Sequence, residues 1–493
     1  MWITLTLLAC VGRLSAPAPS QEPAPAEAPR LVVLLVADQL PVELFGRVQP
    51  HFKHGLATLT DEAAWVGRAI FTHSVTLTCP GHATLASGAS PRVHGIVSNN
   101  WVTQGEAKYC GDIANLRADT IGDRVHEAGG KVASLSIKDR AAIMMGGRNP
   151  NASVWYLRNE GTWNEQAPEW ALQSQIDAVL NSTWEPLDPS LYAQHFPDHQ
   201  EHEEDHEPIG GTTFPHGPPG TDNPAYFRMM PGSGEVLTDL GLTAVDNLQL
   251  GADEVPDLLA ISYSQTDYVG HAFTPQSWEA MDTLLRLDRD LARLFEGLDE
   301  RVGPGRYTVL MTSDHGAANA NATRLSRDAL VRRADEALTA AGIEAATQFA
   351  VPYLLISGEG LTEEMRAEAA KVVAEAVQSV EGVHTAVPWR VDGVPDSMPQ
   401  ADAVRQSLYP ERAGDVFVLV GEDTVVGYGE LARGTGHGGP WYHDSHVPLM
   451  MRGPGVTPSR DLRVDARQVA PTITALMGIA PPQQAELGPV VTP

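Results

Sequence analysis

Three uninterrupted apolar runs stand out along the chain, and each is followed at once or within a few residues by an acid. Leu31–Ala37 (L-V-V-L-L-V-A) stops at Asp38. Asp257–Tyr263 (D-L-L-A-I-S-Y) leads to Asp267 and His271, and Tyr307–Thr312 delivers Ser313-Asp314-His315-Gly316. Apolar runs of this length without alternation belong to strands covered on both faces, as in a parallel sheet. A further strand is predicted over 132–137, ending in Lys138-Asp139-Arg140. Between the strands, apolar residues recur at helical spacing over 121–128 and over 275–298, the latter through Trp278, Met281, Leu284, Leu285, Leu291, Leu294, Phe295 and Leu298. Strands alternating with helices predict an α/β fold: a mostly parallel central sheet with helices on both faces. Such sheets bind their ligands beyond the carboxyl ends of the strands.

The pattern divides the chain. Residues 30–148, 256–334 and 430–493 read as three parts of one α/β core. From 149 to 255 the regularity fails, and the segment reads as an inserted cap rich in Trp, Pro, Gly and His. Its polar run 199–207 (H-Q-E-H-E-E-D-H-E) mimics a metal site but has no scaffold to fix a coordination geometry, so a solvated loop is expected. Residues 335–429 read as a smaller α+β insertion, with strands at 353–356 and 415–420 and a helix over 363–380. Thr362 is its N-cap, with Glu363 and Glu364 in the first turn. The closing part holds Gly434-Thr435-Gly436-His437-Gly438, an apolar segment at 446–451 and a helix over 466–477.

Composition narrows the partners. With 34 basic against 62 acidic residues, a net charge of −28, bulk electrostatics argue against nucleic acid and against an anionic membrane surface. An anionic substrate would need locally placed cations. Residues 1–29 comprise a short apolar run and a Pro/Ala-rich linker, read as an export signal that is too short to span a membrane. Leu7-Leu8-Ala9-Cys10 fits a lipidation motif, so a lipid anchor at Cys10 is expected, placing the protein in the periplasm or on the outer membrane. Only Cys79 and Cys110 remain, too few for a disulfide scaffold. One bridge is open to them, but Cys79 is read as a small buried neighbour of its turn.

The chemistry centres on Thr78, in the turn Thr78-Cys79-Pro80-Gly81-His82. A hydroxyl is a useful nucleophile only when a base or a metal ion activates it. Asp38, Asp267, His271, Asp314, His315 and His437 are oxygen and imidazole donors of the kind zinc accepts. Six such donors plus the Thr78 oxygen suit two metal ions, the arrangement that stabilises attacking and leaving oxygens in an in-line displacement. A transferred phosphoryl group needs donors of its own. Asn99, Lys138 and Arg140 can provide an amide, a point charge and a fork of N–H groups.

Together these residues resemble the alkaline phosphatase superfamily, in particular the exported bacterial alkaline phosphatases with a Thr nucleophile. Asp38 ends the opening strand, Thr78 to His82 match a T-x-P-x-H turn, His94 to Asn99 match H-G-I-x-x-N, and Lys138 to Arg140 match the K-D-R triplet. The resemblance implies an alkaline-phosphatase-like fold and one zinc on Asp267, His271 and His437. It places a second zinc on Asp38, Thr78, Asp314 and His315. His443 and His446 lie near His437 and are the runner-up ligands to it, but His437 is the one followed by Gly in the expected loop. The resemblance further implies hydrolysis of small-molecule phosphate monoesters through a phospho-threonine intermediate, held by Asn99, Lys138 and Arg140. Nucleotide pyrophosphatase/phosphodiesterases share the nucleophile and the metal set but lack the Lys-x-Arg pair, which favours the monoester. A sulfatase would need Cys or Ser where Thr78 stands. A silent zinc- or phosphate-binding protein would need no hydroxyl placed to attack.

Overall fold

The computed structural model describes residues 28–61, 65–103, 105–427 and 433–490. Cys10 and nearly all of the export and linker segment lie outside them. Eight strands form the central sheet: β1 (Leu31–Ala37), β2 (Trp65–Ile70), β3 (Val132–Ser136), β4 (Ala152–Val154), β5 (Asp257–Tyr263), β6 (Tyr307–Thr312), β7 (His446–Arg452) and β8 (Ser459–Asp465). Their order is β8-β2-β7-β6-β1-β5-β3-β4. Only β7 runs against the others, pairing antiparallel with both β6 and β2. The three apolar strands therefore lie side by side at the centre: β1 is parallel to β6 through Val36↔Thr312 and to β5 through Ala37↔Tyr263. Every residue of these three strands is buried. At roughly 1.5–3 kcal/mol for each large apolar side chain, this layer fixes the register of the residues that follow it.

One sheet face presents Leu31, Val33, Leu35, Leu259 and Ile261 to a helical layer, and the other presents Val32, Leu34, Leu258 and Ala260 to the closing helix. The helix predicted over 275–298 is observed at Trp278–Arg301, starting after Ser277, whose side chain accepts from the Ala280 N–H. Pro275 and Gln276 precede that cap.

The stretch expected to be irregular contributes to the core. It supplies edge strand β4 and a 17-residue helix, Gly232–Leu248, which packs on Trp278–Arg301. Its apolar residues Val236, Leu237, Leu240, Ala244 and Val245 are helically spaced, but Gly232, Gly234 and Gly241 mask the signal. Glycine is a poor helix former, and here it permits close approach. A Cβ at Gly241 would lie 2.7 Å from Ile261 Cδ1 of β5.

The insertion after 335 carries a four-stranded antiparallel sheet in the order Ala346–Ala350, Tyr353–Ser357, Val416–Val420, Val383–Val387. Its helix Glu363–Gln378 starts at the Thr362 cap, with the Met365 N–H donating to the hydroxyl. Among the described residues no helix is long and apolar enough to cross a membrane.

Candidate active site

The carboxyl ends of β3, β5, β1 and β6 bring the sequence-predicted residues together. Asp38 and Asp314-His315 follow adjacent strands. Asp267 and His271 sit one turn apart on a short helix, Gln265–Phe273, that the sequence pattern does not announce, so the D-x-x-x-H spacing is a helical i,i+4 pair. Lys138 occupies the N-cap position of helix Asp139–Gly146, and its backbone N–H donates to Ser136 Oγ.

Thr78 is the first residue of helix Thr78–Ser87. That helix approaches the sheet edge so closely that a Cβ at Gly81 would lie 2.3 Å from the Asp314 carbonyl oxygen, which explains the glycine in the turn. His82, one turn on, is fully buried. Its Nδ1 lies 2.9 Å from the Thr78 carbonyl and 3.1 Å from Asp314 Oδ2, and its Nε2 lies 3.0 Å from Ser262 Oγ. It thus ties the Thr78 turn to β5 and to Asp314. Burial disfavours a charged imidazole here, but the Asp314 carboxylate overrides it and raises the His82 pKa.

Two groups of donors converge. Asp38, Asp314 and His315 form one, Asp267, His271 and His437 the other. In each histidine Nδ1 is engaged by a backbone carbonyl: Gly316 for His315 (3.0 Å), Thr435 for His271 (2.8 Å) and Thr76 for His437 (2.7 Å). This fixes the tautomer that leaves Nε2 with a free lone pair, the arrangement of metal-bound histidines. His315 Nε2 lies 3.6 Å from Asp38 Oδ1 and 3.3 Å from Asp314 Oδ2, while His271 Nε2 and His437 Nε2 lie 3.3 and 3.7 Å from Asp267 Oδ1. The rings of His315 and His437 stack with centroids 3.7 Å apart, which joins the groups.

The donors fit a cation. Asp38 Oδ1 and His315 Nε2 are buried without a hydrogen-bond partner. Burial, then the Asp314 carboxylate, push the Asp38 carboxyl up to about 7. Burial works against charge on Asp267 as well, but Lys138 and His271 hold it well below the usual carboxylate range. Burial and the neighbouring His315 and His271 lower His437, keeping its ring neutral. Lys138 Nζ, itself fully buried, lies 2.8 Å from Asp38 Oδ2, 2.6 Å from Asp267 Oδ2 and 3.1 Å from Thr78 Oγ1. Positive charge is thus demanded between the two groups and next to the hydroxyl.

The remaining residues surround this centre. Asn99 is half-buried, and its Oδ1 accepts from the Cys79 N–H at 3.0 Å. Arg140 shares with Lys138, Tyr268 and Arg228 a cavity of about 460 Å³. The guanidinium of Arg228 lies over the Tyr268 ring, 4.3 Å from its centroid. A second cavity, of about 630 Å³, is walled by Leu77, Asn99 and Trp101 from the core and by Phe349, Val351 and Tyr353 from the insertion.

Two expectations are corrected, and the runner-up histidines fall outside the site. Cys79 and Cys110 form a disulfide across 31 residues of sequence, so Cys79 is a tether rather than a small neighbour. The run 199–207 is not simply solvated. Glu203 is fully buried, and the His202 carbonyl and Glu204 N–H bond to Gly434 and Ala272 beside the His271 helix. His443 and His446 belong to neither donor group: His443 faces Asp444, and His446 stacks on Tyr442.

The carboxyl edge of the mostly parallel sheet thus gathers two three-residue donor sets able to hold metal ions, a hydroxyl and two cations, an arrangement suited to metal-assisted chemistry on a phosphoric ester. The chain belongs to the type I phosphodiesterase / nucleotide pyrophosphatase family, which it matches over residues 32–446. It is 29% identical to alkaline phosphatase PhoV of Synechococcus elongatus, over 96% of this chain and 94% of that protein. It is 28% identical to alkaline phosphatase PhoK of a Sphingomonas species, over 92% and 89%. The crystal structure of alkaline phosphatase PafA superposes with a TM-score of 0.83 at 25% identity, covering 94% of this chain and 98% of PafA.

Proposed function

We propose that the protein is an alkaline phosphatase that hydrolyses phosphate monoesters through a covalent phospho-threonine at a two-zinc site. Thr78 Oγ1 gives up its proton to solvent, attacks phosphorus in line and forms the new P–O bond. The bond to the ester oxygen breaks, and the departing alkoxide takes a proton from solvent. Water then attacks the phospho-threonine, returning the Thr78 oxygen and releasing inorganic phosphate. Asp38, Asp314 and His315, with Thr78, would hold one ion, and Asp267, His271 and His437 the other. When bound, the ions supply Lewis-acid charge for the attacking and leaving oxygens.

The chain's own groups do the rest. Lys138 Nζ, 3.1 Å from Thr78 Oγ1, is placed to stabilise the hydroxyl as an alkoxide. Arg140 and the Asn99 amide complete a set of donors for the non-bridging oxygens. His82 holds the Thr78 turn against Asp314. The 630 Å³ cavity beside Asn99 offers space for the organic part of the ester. The names of the relatives point to the same activity.

The observation that carries the reading is the buried Lys138 ammonium at the hydroxyl, with Arg140 in the adjoining cavity. A transferred group carrying two negative charges matches two cations better than a diester does. The test compares specificity constants for a matched aryl monoester and aryl diester, with metal analysis of the same sample. The expected result is a strong monoester preference with about two zinc ions per chain, the occupancy of two-metal sites. In the double variant Lys138→Ala/Arg140→Ala the monoester rate should fall far more than the diester rate. Equal losses would make the pair structural and favour a diesterase.

Export belongs to the same reading, with the periplasm or a lipid anchor at Cys10 as its destination. The Cys79–Cys110 disulfide supports it, since such bonds persist in oxidising compartments.

A further inference from the structure

We propose that the Cys79–Cys110 disulfide is a positioning device for the Asn99 amide, acting on catalysis rather than only on stability. The inference rests on the proposed role of Asn99 as a phosphoryl donor.

Both half-cystines hold Asn99. The Cys79 N–H donates to Asn99 Oδ1 at 3.0 Å, and the Cys110 N–H donates to the Asn99 backbone carbonyl at 3.1 Å. The sulfur link joins those two donors covalently, and both cysteines are fully buried. Asn99 is therefore gripped by its side chain from the Thr78 helix and by its main chain from the far end of the hairpin that follows it. That hairpin, Asn100–Thr103 with Glu106–Tyr109, has two strands, and isolated two-stranded hairpins are marginally stable. The disulfide closes its base onto the helix that carries the nucleophile.

The grip also has a chemical sense. An amide can present either its oxygen or its NH₂ to a neighbour. With Oδ1 committed to the Cys79 N–H, the NH₂ is the end left for an anionic phosphoryl oxygen. Cys79 is the second residue of the Thr78 helix, so its N–H has no partner within the helix. The bond to Asn99 satisfies that donor and fixes the amide in its donating orientation. Without the disulfide the hairpin can lift, and a rotated amide would turn an acceptor toward the phosphoryl group.

The experiment is a double-mutant cycle on the metal-loaded full chain. Wild type, Cys79→Ala/Cys110→Ala, Asn99→Ala and the triple variant are compared by kcat/KM for an aryl phosphate and by the Kd of inorganic phosphate. Zinc content and melting temperature are measured on each. Asn99→Ala should slow turnover by about 10²-fold, as loss of one oxyanion donor does. Removing the disulfide should cost about tenfold in the wild-type background and weaken phosphate binding, yet cost nothing more in the Asn99→Ala background, the signature of coupled residues.

Equal losses in both backgrounds, or no loss in either, would overturn the positioning role while leaving the proposed activity standing. Full activity of Asn99→Ala would remove the phosphoryl contact and the clamp together. If the cysteine-free chain does not fold, a phosphine reductant applied to folded, metal-loaded wild type and Asn99→Ala, with thiols counted and circular dichroism unchanged, gives the same reading. Unchanged kcat/KM after complete reduction of wild type would then overturn it.

Discussion

The two donor groups differ in exposure more than in chemistry. Side chains of Asp38, Asp314 and His315 are 0% exposed, whereas His271 is 40% exposed and its companions Asp267 and His437 only 3% and 6%. The closed group lies under the helix of Thr78 and is braced by His82. The open one is built from a short helix and a late loop at the mouth of the site. An ion in the closed set would sit where the nucleophile never leaves. One in the open set would face the position that a leaving alcohol and then water must exchange through, and catalytic metal sites keep such a position accessible. The contrast teaches that any division of labour between two ions would follow from which elements carry the donors, strand ends for the closed set and a helix and a loop for the open one, since both sets draw on the same residue types.

The severest challenge to this comparison is Thr78→Ala. If Thr78 serves the closed set as both nucleophile and ligand, turnover of an aryl phosphate should fall by about 10⁴-fold or more, while the open set still binds its metal. Unchanged turnover would remove the nucleophile; loss of both ions would mean that the groups do not bind independently.

Ligand deletions should then separate the groups. His271→Ala should weaken metal binding by at least about 100-fold, the upper end of what even outer-shell partners contribute, with little change in folding. Asp314→Ala should also lower the melting temperature of the metal-free protein, because His82 loses its buried counter-charge. Breaking one side of such a buried pair costs about 3–5 kcal/mol. Equal destabilisation by the two substitutions would erase the distinction between closed and open. Chelation offers a gentler probe. A dilute chelator should remove metal in two phases, the open group first, with activity lost in the fast phase and regained on adding zinc. A single phase would show that both ions leave together.

How legible this was depends on which physical signal each residue leaves in the chain. Asp38, Asp314 and Lys138 follow buried strands, and a strand without alternation is hard to mistake, so their meeting at one sheet edge could be read from apolar pattern alone. The chemical partition of Asp267, His271 and His437 came from resemblance, since no local pattern joins a helical turn to a loop about 165 residues away. The helix Gly232–Leu248 was hidden because its glycines serve close packing against Ile261, at the expense of local propensity. The Cys79–Cys110 bond was hidden for a different reason. Thirty-one residues and a hairpin separate the two thiols, and spacing carries no information about closure in three dimensions. Glu203 was misplaced because a charged run predicts solvent, yet this one residue of it is folded inward.

The smallest effect tests what makes the site's carboxylates special. Asp290 is also a buried acid, but among the described residues it belongs to neither donor set. It lies on helix Trp278–Arg301 facing Gly234, with Oδ2 unpartnered and Arg293 Nη1 3.5 Å from Oδ1. Burial, then the nearby Glu235 carboxylate, push its carboxyl up to about 8, against the pull of Arg293. The folded chain therefore holds a proton there that the unfolded chain releases near pH 4. The sign follows from linkage: the stability Asp290 contributes is fully present below its unfolded pKa and is lost progressively as pH rises toward 8 and through it. Asp290→Asn keeps the shape and removes the titration, so it should flatten the fall in stability between pH 6 and pH 9. The gain at pH 9 should be on the order of 1 kcal/mol, within the range of single substitutions, with no change in zinc content or kcat/KM. Urea melts of the two proteins at both pH values provide the check. Parallel pH profiles would mean that Asp290 is charged in the fold, leaving Arg293 as a sufficient counter-ion. Burial without a metal would then be no guide to which carboxylates of this protein need one.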